Sequence, residues 1–263
     1  MRIVICVKHV PDTNEPKRLE SDLTLLRTGV QSVINPMDEY ALEVALKWKD
    51  ADPSLELVIL TMGPEDARGI IKKCLAKGAD RAVLVSDAAL AGSDALATAR
   101  VLAAAIRKIG DVDAVLCGIR SSDGDCYLVG PALAELLELP QITFCKDGSL
   151  DQAARTVQMQ REAEGAIEVV RATLPALITV TKALYEPRLA SFKGITAANK
   201  KELLTWTLAD VGVPGEQVGQ ANASVKVQAF KEPPARPQSQ VVTGAPAELA
   251  RKMVTYLQEQ KLV

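Results

Sequence analysis

The sequence predicts an α/β protein in which a mostly parallel sheet is covered by helices on both faces. Apolar runs of strand length alternate with amphipathic segments of helix length through the first half of the chain. A strand that is apolar at every position is buried on both faces, as in a parallel sheet between two layers of helices. The composition agrees, because 48% of the residues are hydrophobic and only 3% are aromatic. That balance is typical of strands and helices built from Ala, Val, Leu and Ile.

The first half of the chain contains four predicted strands and four predicted helices. The strands are expected at residues 3–7, 55–60, 82–85 and 113–117. The helices are expected at residues 35–48, 65–76, 93–109 and 128–139. Asn35 has a side chain that can cap the first helix, Pro36 suits its first turn, and Gly78 suits the end of the second helix. This order of elements predicts a Rossmann-like, doubly wound sheet.

The second half of the chain departs from this alternation. Residues 156–162 and 166–172 flank Gly165 and predict an antiparallel hairpin. The remaining expected elements are a strand at 176–180, an exposed loop at 191–195, a helix at 197–204, an extended arm at 232–237 and a C-terminal helix at 245–261. Prolines prevent both helix formation and strand pairing in the arm.

Composition excludes several classes of function. The 31 basic and 33 acidic residues leave a net charge of −2, so nothing favours nucleic acid or a membrane surface. No apolar run approaches the roughly 20 residues that a membrane helix needs. The five cysteines form no CxxC pair, and His9 is the single histidine, which argues against metal sites and catalytic residues. The N-terminus has no signal-peptide cleavage pattern, so a reduced, cytoplasmic protein is expected.

The segment from Cys117 to Pro131 is the candidate site. Its two glycines, two serines and two aspartates lie between a predicted strand and a predicted helix, where bare amides favour a phosphate. A side chain at Gly124 is expected to crowd the ligand or strain the turn, and the aspartates are expected to cap the helix or face a ribose. The segment is neither GxGxxG nor a P-loop, and an ordinary strand-to-helix loop is an equal alternative on spacing alone.

Convergence of several loops favours nucleotide binding. Parallel strands end at one edge of a sheet, so the loops at 7–13, 61–63, 86–87 and 118–125 are expected along one rim. Residues 1–182, with the hairpin at 152–172, are therefore expected to form a nucleotide-binding domain. Residues 183–263 are expected to form a recognition loop and an arm that wraps a partner.

Six motifs, in order from residue 2 to about 204, carry a resemblance to a known family. They are residues 7–13, Asn35-Pro36-x-Asp38-x-Tyr40-Ala41, Met62-Gly63-Pro64, Gly78-Ala79-Asp80, Asp123-Gly124-Asp125 with Val129-Gly130-Pro131, and Glu186-Pro187-Arg188 to Lys200-Lys201. The chain resembles the beta subunit of electron transfer flavoproteins. In that family a larger alpha subunit carries the electron-transferring FAD, and the beta subunit binds a second nucleotide. The second nucleotide is AMP in simple carriers, and in electron-bifurcating members it is an FAD that accepts hydride from NADH.

The resemblance implies two groups of binding residues. The implied cofactor-binding residues are Cys6, Val7, Val10, Asp12, Thr13, Asn35, Met62, Asp94, Thr98, Gly118, Arg120, Ser122, Asp123, Gly124, Asp125, Cys126, Tyr127, Leu128 and Val129. The implied partner-binding residues, for a dehydrogenase, are Leu184, Glu186, Arg188, Phe192 and Ile195. Glu168 stands where a family glutamate tunes domain motion.

The motifs favour FAD over AMP as the second nucleotide. Residues 12–13, 38–40 and 91–98 are similar to those of bifurcating members. Residues 119–122 and 126–128 depart from the family pattern on either side of Asp123-Gly124-Asp125. Two other classes compete: a nucleotide-binding regulator of the universal-stress type, which would end near residue 150, and an ATP-pyrophosphatase, which needs a Ser/Gly-rich loop after its first strand.

Overall fold

The computed structural model describes residues 1–27, 29–182, 185–231, 234–235, 239 and 241–263. The strands are β1 (Arg2–Cys6), β2 (His9–Pro11), β3 (Ser32–Ile34), β4 (Glu56–Met62), β5 (Arg81–Val85), β6 (Ala114–Gly118), β7 (Gln141–Asp151), β8 (Thr156–Ala163), β9 (Ala166–Thr173), β10 (Ala176–Val180) and β11 (Leu203–Trp206). The helices are α1 (Pro36–Ala51), α2 (Arg68–Lys77), α3 (Ala95–Ile109), α4 (Val129–Leu137), α5 (Phe192–Ala198), α6 (Leu208–Val211) and α7 (Pro246–Glu259). The chain divides into two compact units, Met1–Gln228 and Ala229–Val263.

A nine-stranded sheet in the order β11-β5-β4-β1-β6-β10-β7-β8-β9 organises the first unit. The strands from β11 to β7 pair in parallel, which confirms the predicted parallel sheet. The strand order reverses between β1 and β6, because β4 and β5 extend the sheet on one side of β1 and β6 begins the other. Ligands of such sheets bind at the carboxyl ends of the strands where the order reverses.

Helices cover both faces of this sheet, as predicted for a doubly wound fold. Ile3 and Ile5 of β1 point to the face covered by α1 and α2, and Val4 points to the face covered by α3 and α4. These side chains are fully buried. Full burial of one such side chain contributes about 1.5–3 kcal/mol to stability, and both apolar layers therefore fix the strand ends that carry the loops.

The antiparallel addition is confirmed. Strands β8 and β9 form a hairpin in which Thr156 pairs with Thr173 and Ala163 with Ala166. Gly165 in its turn has a φ of 72°, a conformation that glycine adopts without strain. Strand β7 joins the two parts, because it pairs in parallel with β10 and antiparallel with β8.

Two predictions of local structure are wrong. The loop expected at 191–195 instead forms most of the short helix α5. The helix expected at 197–204 instead ends with α5, and the chain then enters the edge strand β11, which pairs in parallel with β5. Ser191 starts the helix early, because its hydroxyl accepts a hydrogen bond from Gly194 N at 3.0 Å. Leu203–Trp206 are half-buried at the sheet edge, and this packing outweighs the polar residues before them.

Strands β2 and β3 pair antiparallel, and in the segment between them one further bridge joins Leu19 and Leu25. Within the described part of the chain, no helix is long and apolar enough to cross a membrane.

The second unit contains α7, which begins with Pro246 in its first turn. Met253 and Tyr256, on the predicted apolar face, are each more than half exposed. Part of the predicted arm lies outside the described residues, at Glu232, Pro233, Arg236 and Pro237. The prediction that residues 183–263 serve a partner concerns an assembly, and it stays a prediction.

Candidate functional site

The candidate site lies at the carboxyl ends of β1 and β6, where the strand order reverses. The loop after β1 leads to α1 on one face, and the loop after β6 leads to α4 on the other. A crevice between two loops that leave a sheet on opposite faces is the usual ligand site of an open α/β fold. Three sets of contacts join the two loops across it.

The first contact is made by Asp38, near the N-terminus of α1. Its carboxylate accepts hydrogen bonds from Lys8 N at 2.7 Å and from Gly118 N at 3.0 Å. Burial raises the pKa of Asp38 to about 7, although both hydrogen bonds and the charge of Lys8 favour the ionised form. A Cβ atom on Gly118 would overlap the Asp38 carboxylate and the backbone of Met37. Asp38 therefore fixes the end of β1 against the end of β6.

The second contact is made by Asn35, which is 1% exposed. Its side-chain amide donates to Arg120 O at 2.8 Å, and its side-chain oxygen accepts from Ser122 N at 3.0 Å. Asn35 occupies the N-cap position of α1, but its side chain makes no capping hydrogen bond. The prediction that its side chain caps the helix is wrong, because the loop after β6 engages both of its polar atoms.

The third contact centres on Asp123, whose side chain is 1% exposed. Lys8 Nζ lies 2.7 Å from one carboxylate oxygen, and a terminal guanidinium nitrogen of Arg27 lies 2.8 Å from the other. Burial alone would raise the pKa of Asp123, but the charge of Lys8 and hydrogen bonds from Lys8, Ser121 and Arg27 hold it well below its usual range. Asp123 was expected to cap a helix or face a ribose, and it instead gathers two cations.

Free backbone donors follow directly in the chain. Among the described residues there is no acceptor for the amides of Cys126, Tyr127, Leu128, Val129 and Gly130. The last three lead into α4, whose N-cap residue, Leu128, makes no side-chain capping bond. Successive free amides at a helix N-terminus form an anion-binding site.

The turn itself is built differently from the prediction. Asp125 and Tyr127 have φ values of 50° and 53°, whereas Gly124 does not have a positive φ. A Cβ atom on Gly124 would make only an ordinary contact with Ser121 Oγ, at 3.5 Å. The turn therefore does not require glycine at this position. Strained non-glycine residues of this kind concentrate at ligand-binding loops.

An aromatic stack that sequence reasoning missed lies beside the amides. The rings of Tyr127 and Phe144 are stacked with centroids 6.2 Å apart, and Arg120 lies 5.8 Å from the Tyr127 ring centre on its way to an ion pair with Asp125. Both aromatic rings are about two-fifths exposed. Phe144 carries a φ of 60° where the pairing of β7 with β10 changes register. No sequence pattern indicated this register change.

The other predicted residues of the rim lie at or near strand ends. Cys6 ends β1, Met62 ends β4, and Val7 and Val10 are buried. Burial raises the pKa of the Cys6 thiol to about 12, so its side chain is neutral and contributes shape. Any polar contact between Cys6 and a ligand therefore comes from the Cys6 backbone.

Asp94 and Thr98 begin α3 and are already engaged by the chain. The Asp94 carboxylate caps the helix at Ala97 N and accepts from Ser224 N at 2.6 Å and Val225 N at 3.2 Å. The Thr98 hydroxyl donates to Asp94 O at 2.8 Å. Asp12 accepts from Asn14 N, and Thr13 is exposed. Among the described residues, none of these four side chains makes a hydrogen bond to residues 118–129.

The predicted partner-binding residues divide into two kinds. Phe192 and Ile195 are 87% and 53% exposed, and Glu186 is exposed. Arg188 is instead tied to α1, because its guanidinium pairs with buried Glu43 at 2.9 Å and with Asp50 at 2.7 Å. It anchors the segment that leads to α5. Leu184 lies outside the described residues, and Glu168 pairs across the hairpin with Arg161 at 3.3 Å.

Lys8 and Arg27 are the charged residues of this site that sequence reasoning missed. Lys8 lies two residues after the end of β1, and its place near a carboxyl strand end was a usable signal. Arg27 lies in the irregular segment before β3, where no periodic pattern pointed to the loop after β6.

The sequence matches a family model and known proteins over most or all of its length. A family model described as "Electron transfer flavoprotein domain" matches residues 22–211. The caffeyl-CoA reductase-Etf complex subunit CarD of Acetobacterium woodii is 39% identical over 264 residues, which covers 100% of both chains. The electron transfer flavoprotein subunit beta of Megasphaera elsdenii is 41% identical over 242 residues, covering 90% of this chain and 89% of that protein. That of Clostridium acetobutylicum is 37% identical over 263 residues, covering 100% of both. The chain therefore belongs to the electron transfer flavoprotein family, with beta subunits as its full-length relatives.

Proposed function

We propose that this chain is the beta subunit of a heterodimeric electron transfer flavoprotein and binds FAD in the crevice between β1 and β6. It helps to pass electrons from a donor, NADH or an acyl-CoA dehydrogenase, to a partner redox enzyme. The alpha subunit of the same complex carries the other flavin. A flavin accepts electrons as hydride or singly, and the protein supplies binding, orientation and electrostatics.

One observation carries this proposal: five consecutive backbone amides without an acceptor, at residues 126–130, lie where the strand order reverses. A diphosphate offers oxygens for several such donors at once. The hydroxyl of Ser122, in the same loop, is buried and has no partner among the described residues. A buried hydroxyl without a partner costs about 1–3 kcal/mol, which a ligand oxygen would offset. The residues present therefore fit an adenine dinucleotide.

Each part of the nucleotide has a group of residues suited to hold it. The amides of Cys126 to Gly130 are suited to the phosphates. The backbone at the ends of β1 and β4, beside Cys6 and Met62, is suited to the adenine. The exposed rings of Tyr127 and Phe144 offer planar surfaces beside the phosphate position, and such surfaces suit an aromatic ring system.

AMP is the second candidate for the nucleotide. The free amides would satisfy a single phosphate equally well, and the residues at 119–122 and 126–128 depart from the family pattern. FAD is favoured by the motifs at 12–13, 38–40 and 91–98, and one full-length relative is named as part of a caffeyl-CoA reductase-Etf complex. The identity of the bound nucleotide, FAD or AMP, separates a bifurcating complex from a simple electron carrier.

The partner surfaces follow from the exposed apolar side chains. Phe192 and Ile195 on α5 are proposed to contact a dehydrogenase, because an isolated, exposed aromatic side chain is a typical anchor. Residues 183–263 are proposed to wrap the alpha subunit. Val225 and Phe230 are 70% and 60% exposed in the single chain, and a partner would bury them.

Anaerobic reduction of the purified heterodimer tests this function. The heterodimer is titrated with NADH, or with a dehydrogenase supplied with its acyl-CoA substrate. The flavin absorbance at about 450 nm is followed during the titration. We expect NADH to bleach the flavin. Bleaching by the dehydrogenase alone would support the simple carrier with AMP, and no bleaching by either donor would contradict the proposed function.

A further inference from the structure

Two cations at the candidate site share a single buried carboxylate. Lys8 comes from the end of β1 and Arg27 from the segment before β3, and both end on Asp123. An ion pair on a protein surface normally matches one cation with one anion. Here the carboxylate is 1% exposed, whereas the side chains of Lys8 and Arg27 are 42% and 51% exposed. The negative charge is thus covered, and the positive charges face outward.

Among the described residues, each cation has more hydrogen-bond donors than partners. The Lys8 ammonium has three donors and contacts Asp123 and Ser121 Oγ. The Arg27 guanidinium has five donors and contacts Asp123 and Leu25 O. Because both side chains are about half exposed, a ligand can approach the two cations.

The charged side chains gathered at this loop sum to a positive charge. Four cations have polar contacts to residues 120–125, namely Lys8, Lys17, Arg27 and Arg120. The carboxylates in the same set are those of Asp123 and Asp125. Arg120 and Asp125 pair with each other, and Lys17 donates to Ser122 O. Four cations against two carboxylates leave an excess of two positive charges. A nucleotide phosphate group carries compensating negative charge.

This cluster lies within reach of the free amides. Asp123 is three residues before Cys126, so their Cα atoms are at most about 11 Å apart. The hydrogen bond from Asp125 N to Ser121 O, at 2.9 Å, folds residues 121–125 into a turn just before these amides. Phosphate bound by the amides would lie beside the two cations.

We propose that Lys8 and Arg27 bind the nucleotide phosphates directly, and that Asp123 is a positioning residue that holds both cations at the mouth of the site. The proposal rests on the proposed function, since it names further residues of the same nucleotide site. It assigns a binding role to Arg27, which lies in the irregular segment before β3. It also explains why a phosphate-binding loop contains a fully buried carboxylate.

The test measures AMP binding by calorimetry, using a heterodimer stripped of its beta-subunit nucleotide, at about 50 and about 500 mM NaCl, where screening differs strongly. AMP is chosen because it carries the adenine, ribose and phosphate that both candidate ligands share. The variants are Lys8→Gln and Arg27→Gln. Arg18→Gln is the matched control, because it removes the same charge from the same exposed segment without a contact to Asp123.

We expect each test variant to bind AMP about tenfold or more weakly at low salt, the loss typical of a charge-assisted hydrogen bond. We also expect a smaller loss of affinity between the two salt concentrations than in the unmodified protein, because one screened attraction is gone. Arg18→Gln should match the unmodified protein in both respects.

Two outcomes would overturn the inference. Unchanged affinity in both test variants would show that the cations do not contact phosphate. Weaker binding with an unchanged salt dependence would show that they act only by supporting the loop. Failure of the unmodified heterodimer to bind AMP or FAD would instead contradict the proposed function.

Discussion

Asn35 joins the start of α1 to Ser122, accepting a hydrogen bond from Ser122 N at 3.0 Å across the crevice between β1 and β6. The same side chain donates to Arg120 O at 2.8 Å. One buried amide therefore fixes two successive turns of the loop that presents the free donors. The shape of this loop depends on α1 as well as on its own sequence.

Asn35→Ala should destabilise the protein by about 1–3 kcal/mol, because Arg120 O and Ser122 N lose their partners. It should also weaken nucleotide binding, since the loop loses its fixed position. Thermal unfolding of the heterodimer with and without added nucleotide measures both effects. Asn14→Ala is the control, because Asn14 is exposed and bonds only to Asp12. An Asn35 variant as stable as the control would contradict this role.

Gly118, at the end of β6, and Gly124, in the loop that follows, should differ in how much an alanine destabilises the protein. Gly118→Ala places a Cβ against Asp38 and the Met37 backbone and should cost about 1–3 kcal/mol. Gly124→Ala meets only Ser121 Oγ at 3.5 Å and should change the free energy of unfolding of the nucleotide-free protein by less than about 0.5 kcal/mol.

Nucleotide affinity then separates ligand effects from folding effects. A Gly124 variant that folds normally but binds nucleotide more weakly would place the ligand against residue 124. A Gly124 variant that unfolds would show that the turn needs glycine after all. Denaturant titration and calorimetry supply the two measurements.

Asp38 should make stability depend on pH below neutrality. Its pKa is raised from 3.8 to about 7 in the folded protein, so the folded state binds a proton that the unfolded state has released. The associated stabilisation is complete below about pH 4 and is lost as the pH rises toward 7, by at most about 1.4 kcal/mol per unit.

The difference in free energy of unfolding between the unmodified protein and Asp38→Asn isolates this contribution. We expect the unmodified protein to lose stability relative to Asp38→Asn steadily from pH 5 to pH 7. Above pH 7 the difference in free energy of unfolding should level off. A difference that is constant over this range, or that moves the other way, would show that Asp38 is ionised throughout.

The sequence predicted the sheet better than the details of the loops. Alternating apolar runs determine which strands are buried, and burial on both faces determines that they are parallel, so the rim and the hairpin at Gly165 were predictable. The pairing of Lys8 and Arg27 with Asp123 joins residues about a hundred positions apart, and local patterns carry no information about such contacts. The edge strand Leu203–Trp206 was missed for a related reason, because its stability comes from packing beside β5.

The function of Phe192 should be separable from the fold. Because its side chain is 87% exposed, Phe192→Ala should leave stability and flavin content unchanged. Loss of an interface anchor commonly costs 2 kcal/mol or more, so affinity for the partner dehydrogenase should fall about thirtyfold. Ile167→Ala is the control, since Ile167 is also exposed, at 65%, on the hairpin.

Electron exchange between heterodimer and dehydrogenase, measured over a range of dehydrogenase concentrations, gives the result. An equal effect of both substitutions would indicate a general loss of surface hydrophobicity. A Phe192 variant that does not fold would show that this side chain is buried in the protein's working state.

The identity of the bound nucleotide tests the central proposal most directly. The purified heterodimer is denatured, and the released nucleotides are separated by chromatography and quantified against the protein. Residues 12–13, 38–40 and 91–98 extend the resemblance to FAD-binding members beyond what AMP requires. We predict close to two FAD and negligible AMP for each heterodimer. One FAD and one AMP would contradict the proposal and define a simple electron carrier.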